Sequence, residues 1–220
     1  NEKMIPYCKE LSSAGVTCKI EIHEGGFFEI VGSLMIKLHA SMAIVGTHGK
    51  KGLKQNLFGS NILRLVQTLE LPCLVVQDAT VWPENGFKNV LFPIASHSRF
   101  DMKINQTKEL IPNDGKFWLY AIYKTDMLDD QLKKNIHLCQ ETFVEQNINY
   151  ELVEEDAQIY SVGFSRQTLA YADKHQVDLI SIMSQISKEN KFFGNADKEN
   201  LILNALSLPV LCCNDDQEHS

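Results

Sequence analysis

The chain has 220 residues and a formal net charge of -7, with 44% hydrophobic and 22% charged residues. This composition is typical of a folded globular protein and argues against extended disorder, and the length allows one large domain or two small ones. The acidic balance argues against a nucleic-acid partner, and no apolar run approaches the roughly 18 to 20 residues that a membrane span requires.

The first part of the chain predicts alternating helices and strands. Helices are indicated by apolar residues three and four positions apart, and strands by alternation or by short apolar runs. Gly15 is expected to end the first helix, and Pro72 the third. The predicted helices lie around residues 4–11, 28–39 and 60–70, and the predicted strands at residues 16–22, 42–45 and 73–76.

The second part repeats this alternation over a longer stretch. Helical crossovers of a dozen or more residues separate its strands, which predicts a parallel sheet with both faces covered. Helices are predicted up to Ile111, around residues 132–143, up to His175, and once more before the last strand. The predicted strands lie at residues 89–95, 117–123, 150–153, 178–183 and 209–213.

An internal repeat relates the two parts. The segments "LELPCLVVQD" (residues 69–78) and "LSLPVLCCND" (residues 206–215) share one frame at an offset of 137 positions. At the same offset "SMAIV" (residues 41–45) falls on "DLISI" (residues 178–182). We therefore predict one structural unit used twice. Applied to residue 87, the offset puts the start of the first copy about 50 positions before Asn1, so its opening strand, helix and strand are expected to be missing.

A glycine-rich loop follows the strand at residues 42–45. The chain runs Gly46-x2-Gly49-x9-Gly59-Ser60 into the next helix. Glycine lets the backbone approach a ligand closely, and the backbone N–H groups of a loop and a helix N-terminus can bind an anion. The spacing differs from the P-loop and from the dinucleotide-binding G-x-G-x-x-G pattern. Such a loop suits a polyphosphate.

The surroundings of this loop are basic in an acidic chain. No acid occurs between Glu29 and Glu70, and the whole net charge of -7 belongs to residues 87–220. Lys50, Lys51 and Lys54 lie in the loop itself. These lysines either pair with phosphate or form a solvated basic face, and charge alone does not distinguish the two.

The spacing G-x2-G-x9-G-[ST], with its flanking strand and helix, resembles the signature of the universal stress protein family. The resemblance covers residues 1–78 strongly and residues 87–214 as a divergent second copy. It implies two tandem Rossmann-like domains of the adenine nucleotide alpha hydrolase-like type, each with a five-stranded parallel sheet, the first being incomplete. The domains are residues 1–78 and 87–220, with a linker at residues 79–86. The edge strand at residues 73–76 is expected to pair the halves within the chain, or two chains in a homodimer.

The resemblance also implies a ligand, which is ATP or a related adenine nucleotide, with or without Mg. His48 belongs to the family loop and either orients the loop or acts as a base. The nucleotide-binding residues that the resemblance implies are Val45, Gly46, Thr47, His48, Gly49, Gly59, Ser60 and Asn61.

The second copy departs from the family pattern. At the offset of 137, Gly46, Gly49, Gly59 and Ser60 correspond to Met183, Ile186, Ala196 and Asp197. Ala95 stands where the family has an aspartate on the adenine side. Side chains are then expected to block the second site and Asp197 to repel phosphate, unless Gly194 and Asn195 restore part of it through a register shift.

The expected role is a nucleotide-binding, non-enzymatic protein of the cytoplasm with a stress-response or regulatory function, an unknown protein partner and no catalytic or metal-binding residues. Two alternatives stay open, a slow ATP hydrolase and a dimerisation scaffold without a ligand. The six cysteines have no C-x-x-C or zinc-like spacing and are expected to be buried free thiols in a reducing compartment. They are Cys8, Cys18, Cys73, Cys139, Cys212 and Cys213.

Overall fold

The computed structural model describes residues 2–47, 58–123, 129–158, 163–185 and 194–214. Helices and strands alternate along them. The helices are α1 (Ile5–Ser13), α2 (Phe27–Lys37), α3 (Phe58–Thr68), α4 (Phe100–Lys108), α5 (Asp130–Glu145), α6 (Phe164–Lys174) and α7 (Asn195–Ile202). The strands are β1 (Ala43–Thr47), β2 (Cys73–Gln77), β3 (Asn89–Ile94), β4 (Lys116–Tyr123), β5 (Asn149–Asp156), β6 (Leu179–Met183) and β7 (Val210–Cys213).

The chain forms two compact units, residues 1–39 and residues 40–220. The first unit contains α1, a segment that belongs to neither a helix nor a strand, and α2. Gly15 follows α1 with a φ of 81°, a left-handed conformation that glycine adopts without steric cost. The N–H of Val16 then donates to the carbonyl of Leu11 at 2.9 Å, so the chain reverses direction where the sequence predicts the end of the helix.

The strand predicted at residues 16–22 is not formed. These residues belong to neither a helix nor a strand, and Val16 and Ile22 are exposed. A strand exists only when a neighbouring strand binds its backbone, and within the described residues of the first unit no strand is present. The strand that the alternating sequence predicts is therefore wrong for these residues.

The second unit is built on one sheet of seven strands in the order β1-β2-β7-β6-β3-β4-β5. The five strands from β7 to β5 are parallel to one another, as the helical crossovers predict. Strands β1 and β2 are also parallel to each other. The α/β class is therefore confirmed.

The two strand sets, β1–β2 and β7 to β5, do not form separate parallel sheets. Strands β2 and β7 pair antiparallel, which joins all seven strands of the described chain into one mixed sheet. In this register Leu74 lies opposite Leu211, and these residues are separated by the repeat offset of 137. Because of this pairing, all seven strands belong to one compact unit, and the chain divides into its two units after residue 39. The domain boundary at residues 79–86 stays a prediction.

The core lies under the parallel strands of the second unit. Phe92, in the middle of β3, is completely buried. Its ring packs edge-on against three others, with centroids 5.7 Å from Phe100, 6.0 Å from Phe117 and 6.0 Å from Phe143. These rings come from α4, β4 and α5, so one aromatic cluster fixes two helices on the sheet.

Candidate functional site

The candidate loop begins at the carboxyl end of β1. Val45 is half-buried and Gly46 is exposed. A Cβ atom added to Gly46 would meet no atom of the described residues within 4 Å, and Gly46 is not in a left-handed conformation. Neither packing nor backbone torsion therefore requires a glycine here. The open space beside this backbone is available to a ligand.

Thr47 ends β1 and is buried. Its hydroxyl donates to the main-chain carbonyl of Val76 on β2 at 3.2 Å. The side chain of this candidate residue therefore holds the ends of two neighbouring strands together. Its position supports the start of the loop.

Helix α3 provides the other end of the loop. Gly59 and Ser60 lie in its first turn, where backbone N–H groups have no partner within the helix. The side chain of Asn61 is exposed. The apolar face that holds the helix in place is buried and consists of Ile62, Leu63, Leu65, Val66 and Leu69.

The middle of the loop lies outside the described residues. This applies to His48 and Gly49 and to the three loop lysines, whose roles stay predictions. The structure describes Gly59 and Ser60 by their backbone alone. Val45, Gly46, Thr47 and Asn61 are thus the candidate residues that can be described fully.

At the end of β6, where the predicted second copy would have its crevice, the space is filled by the protein itself. Met183 occupies the position that Gly46 has in the first copy, and its side chain is buried in the core. Lys198 corresponds to Asn61 and is completely buried. Its ammonium group donates to the carbonyl of Ser184 at 2.9 Å and to that of Gln185. A lysine side chain therefore occupies the end of β6.

A side chain from the first copy reaches the same place. The amide nitrogen of Gln67, near the end of α3, donates to the carbonyl of Ser184 at 3.0 Å and to the Asn195 side chain at 2.8 Å. The side-chain oxygen of Asn195 is thereby used in a contact between α3 and α7. This contact therefore does not support the register shift by which Gly194 and Asn195 would restore part of an anion site.

Asp197 has a structural role that its sequence position does not reveal. Its carboxylate is buried and accepts a hydrogen bond from the N–H of Ser165, in the first turn of α6, at 2.9 Å. An acid at a helix N-terminus binds unpaired N–H groups and interacts favourably with the helix dipole. Asp197 therefore caps a neighbouring helix.

The carboxyl end of β3 carries a polar cluster that the sequence reading missed. Ala95 replaces the expected aspartate, and its carbonyl accepts from the Asn135 amide at 2.6 Å. Ser96 donates to the carboxylate of Asp129, which also accepts from the N–H of Leu132 at 3.0 Å. Asp129 directly before the helical pattern of α5 is a typical N-cap signal, and this signal would have identified it.

No group of three or more His, Cys, Asp or Glu side chains in the described part of the chain is arranged to hold a metal ion. None of the described helices is long and apolar enough to cross a membrane.

Comparison with known families and structures bears on the loop and on the fold. Residues 2–77 match the model of the universal stress protein family. This confirms the resemblance for the segment that contains the Gly46 loop. No curated protein sequence gives a significant match to the chain.

Solved structures are similar over nearly the whole chain. A universal stress protein from Archaeoglobus fulgidus DSM 4304 matches with a TM-score of 0.70 and 14% identity, over 99% of this chain and 77% of its own. A functionally unknown protein from Pseudomonas aeruginosa PAO1 matches with a TM-score of 0.62 and 12% identity, over 98% and 78%. At these identities the likeness shows a shared α/β fold.

Proposed function

We propose that the chain binds ATP or a related adenine nucleotide at the loop between β1 and α3 and acts as a regulatory universal stress protein. The observation that carries the proposal is Gly46. It is exposed at a strand end, and among the described residues no atom lies within 4 Å of the place where its Cβ would be. A nucleotide phosphate approaching the backbone explains a glycine that the fold itself does not require.

The ends of β1 and α3 supply suitable groups for an anion. Backbone N–H groups in the first turn of α3 are free of partners within the helix, and the helix dipole adds a partial positive charge. No acid occurs from Ile30 to Leu69, so the strand, the loop and the helix contribute no like charge. The phosphates would bind the backbone near Gly46 and Gly59, with Ser60 and Asn61 donating from α3.

A magnesium ion would bind here mainly through the nucleotide. The strand, the loop and α3 contain no carboxylate, which is the ligand that Mg²⁺ prefers in proteins. Phosphate oxygens and water would then complete its coordination. We therefore propose binding without efficient hydrolysis, and metal-dependent turnover above that of a Gly46→Ala variant would favour the hydrolase alternative.

The second copy is proposed not to bind nucleotide. Lys198 and Met183 fill the space in which a ligand would approach β6. Binding is then expected with one equivalent per chain. Mass spectrometry of small molecules released from the heat-denatured protein measures this ratio, and two equivalents would contradict the assignment of the second crevice.

Gly46→Asp tests the site. Because a Cβ at Gly46 meets no atom within 4 Å in the part of the chain that the structure describes, we expect the variant to fold. Its carboxylate would repel the phosphates, and the affinity for ATP should fall by about 100-fold, or about 2.7 kcal/mol. Isothermal titration calorimetry measures the change. Gly59→Asp should act in the same direction from the first turn of α3.

Gly194→Asp is the matched control. Gly194 precedes α7 with an extended backbone, and a Cβ there also meets none of the described residues within 4 Å. Aspartate is favoured at this N-cap position, so the variant should be stable and should bind ATP as the unmodified chain does. Equal affinities of the Gly46→Asp, Gly59→Asp and unmodified chains would show that the loop is not the site.

A further inference from the structure

The cysteines of this chain fall into two classes by burial. Cys8 and Cys18 are only half-buried, which differs from the expectation of buried thiols. The other four are completely buried in the second unit, as expected, and they are Cys73, Cys139, Cys212 and Cys213. Two of these four, Cys73 and Cys212, lie on neighbouring strands where β2 pairs with β7.

The strand register places Cys73 and Cys212 directly opposite each other in this antiparallel pair. Opposite residues of an antiparallel pair have Cα atoms roughly 4.5 to 5.5 Å apart, and their side chains leave the sheet on the same face. A disulfide joins residues whose Cα atoms are roughly 4.4 to 6.8 Å apart. The register therefore brings the two residues within the range of a disulfide, and both thiols are free in this structure.

The sheet separates this pair of thiols from Cys213. Leu74 and Leu211 form the next opposite pair, and both belong to the same core cluster as Cys213. Successive residues of a strand point to opposite faces of the sheet, so Cys73 and Cys212 lie on the other face. Cys213 is therefore adjacent in sequence but is directed away from the pair.

An ammonium group lies close to the end of β7. The N–H of Ser184 donates to the carbonyl of Cys213 at 2.9 Å, and Lys198 binds the carbonyl of the same Ser184. Burial raises the pKa of Cys212 well above its ordinary value, the neighbouring Cys73 adds to this rise, and the charge of Lys198 opposes part of it. Burial also raises the pKa of Cys73 to about 12. Both thiols therefore keep their protons at neutral pH while β2 and β7 are paired.

We propose that Cys73 and Cys212 form a reversible disulfide between β2 and β7 when the chain is oxidised by a peroxide. The bond forms after a transient local separation of the two strands has exposed the thiols to solvent. It then joins the two strand sets covalently. This modification site lies inside the sheet, and it includes none of the residues proposed to bind nucleotide.

The reaction balances in two steps. Cys212, the thiol beside the ammonium group, loses its proton and attacks one peroxide oxygen, the O–O bond breaks, and Cys212 becomes a sulfenic acid while the departing hydroxide leaves as water. The sulfur of Cys73 then attacks the Cys212 sulfur, the S–S bond forms and the S–O bond breaks. This second hydroxide takes the proton of Cys73 as water. Two thiols and one hydrogen peroxide thus give one disulfide and two waters, and a dithiol reductant reverses the change.

Peptide mapping of the full chain tests the link. Trypsin cuts after Arg64, Lys88 and Lys198, so the two thiols fall in separate peptides, residues 65–88 and residues 199–220. After treatment with hydrogen peroxide, alkylation and digestion, we expect these peptides to be joined and lighter by two hydrogen atoms. Dithiothreitol should separate them. Urea at a concentration below the unfolding transition should speed the reaction by at least about ten-fold, because it favours the local opening.

Two neighbouring cysteines provide a matched pair of variants. Cys212→Ala should abolish the joined peptides, whereas Cys213→Ala should leave them unchanged, because only Cys212 shares a face with Cys73. The opposite result would overturn the register on which the proposal rests. Oxidation of Cys73 and Cys212 to sulfinic acid without joined peptides would overturn it too, and so would separate peptides after prolonged oxidation in urea. A link found only in chains that migrate as dimers on a denaturing, non-reducing gel would be intermolecular and would also contradict it.

The oxidised chain should differ from the reduced chain in hydrogen exchange. A disulfide between residues far apart in sequence constrains the unfolded chain strongly and so stabilises the folded one. Amide exchange in β2 and β7 should therefore slow by at least about ten-fold after oxidation. Equal exchange rates in the two forms would show that the bond does not hold these strands together.

Discussion

Lys103 shows how one buried charge affects the molecule. It lies on α4 with an exposed fraction of 1%, its nitrogen is 3.8 Å from the centroid of the Phe92 ring, and it donates to the Pro93 carbonyl at 2.5 Å. Burial lowers its pKa from 10.5 to about 7. The folded chain therefore releases this proton at about pH 7, whereas the unfolded chain holds it to about pH 10.5.

The consequence is a pH-dependent stability. Between about pH 7 and pH 10.5 unfolding takes up a proton, so the free energy of unfolding should rise with pH by up to about 1.4 kcal/mol per pH unit from this residue. Lys103→Met should remove this slope. Its free energy of unfolding should exceed that of the unmodified chain by the largest amount below pH 7. Urea unfolding of both proteins at several pH values measures the difference. If the free energies of unfolding of the two proteins changed with pH in the same way, the role given to Lys103 would be contradicted.

At the scale of elements, alanine substitutions at two glycines of the first unit are expected to change helix stability in opposite directions. Gly15 ends α1 with a positive φ, whereas Gly32 lies inside α2 without one, and a Cβ at either position meets no protein atom within 4 Å. Gly15→Ala should destabilise α1 by about 1 kcal/mol, and Gly32→Ala should stabilise α2 by about as much. Hydrogen exchange of the two helices measures both changes. Effects of the same sign would contradict the helix-end interpretation.

At the scale of the whole molecule, the β2–β7 pairing makes the sheet of the second unit one cooperative structure. Leu74 is buried in the same core cluster as Val90, Phe92 and Leu211. Leu74→Ala should therefore cost about 2–5 kcal/mol, and hydrogen exchange should accelerate to a similar extent in β1, β2, β6 and β7. Acceleration confined to β1 and β2 would show that the two strand sets unfold separately.

The sequence predicted most helices and strands because local patterns determine them. Residues 89–95 and 178–183 read as buried strands and form β3 and β6. The strand at residues 16–22 failed because strand formation depends on a neighbour that alternation cannot reveal. The mixed sheet was not predicted from periodicity either, since the direction of β2 relative to β7 is decided by contacts between residues far apart in the chain.

The site could be predicted where glycine spacing carries the information. The sequence placed Gly46 at a strand end and Gly59 near a helix start, and the structure has both there. It suggested that the second crevice was blocked, but Lys198 was not recognised as the side chain that fills it. Lysines are usually solvated, and only the fold reveals that this one is directed at two backbone carbonyls.

Helix α3 begins at the Gly46 loop and reaches the residues that follow β6. Its first turn lies at the Gly46 loop, and Gln67 near its other end binds Ser184 and Asn195 in the second copy. Eleven residues of helix span roughly 16 Å. A displacement of its first turn along the helix axis is therefore expected to disturb the hydrogen bonds of Gln67. Lys198 binds the same carbonyl of Ser184, so this carbonyl is held from two helices.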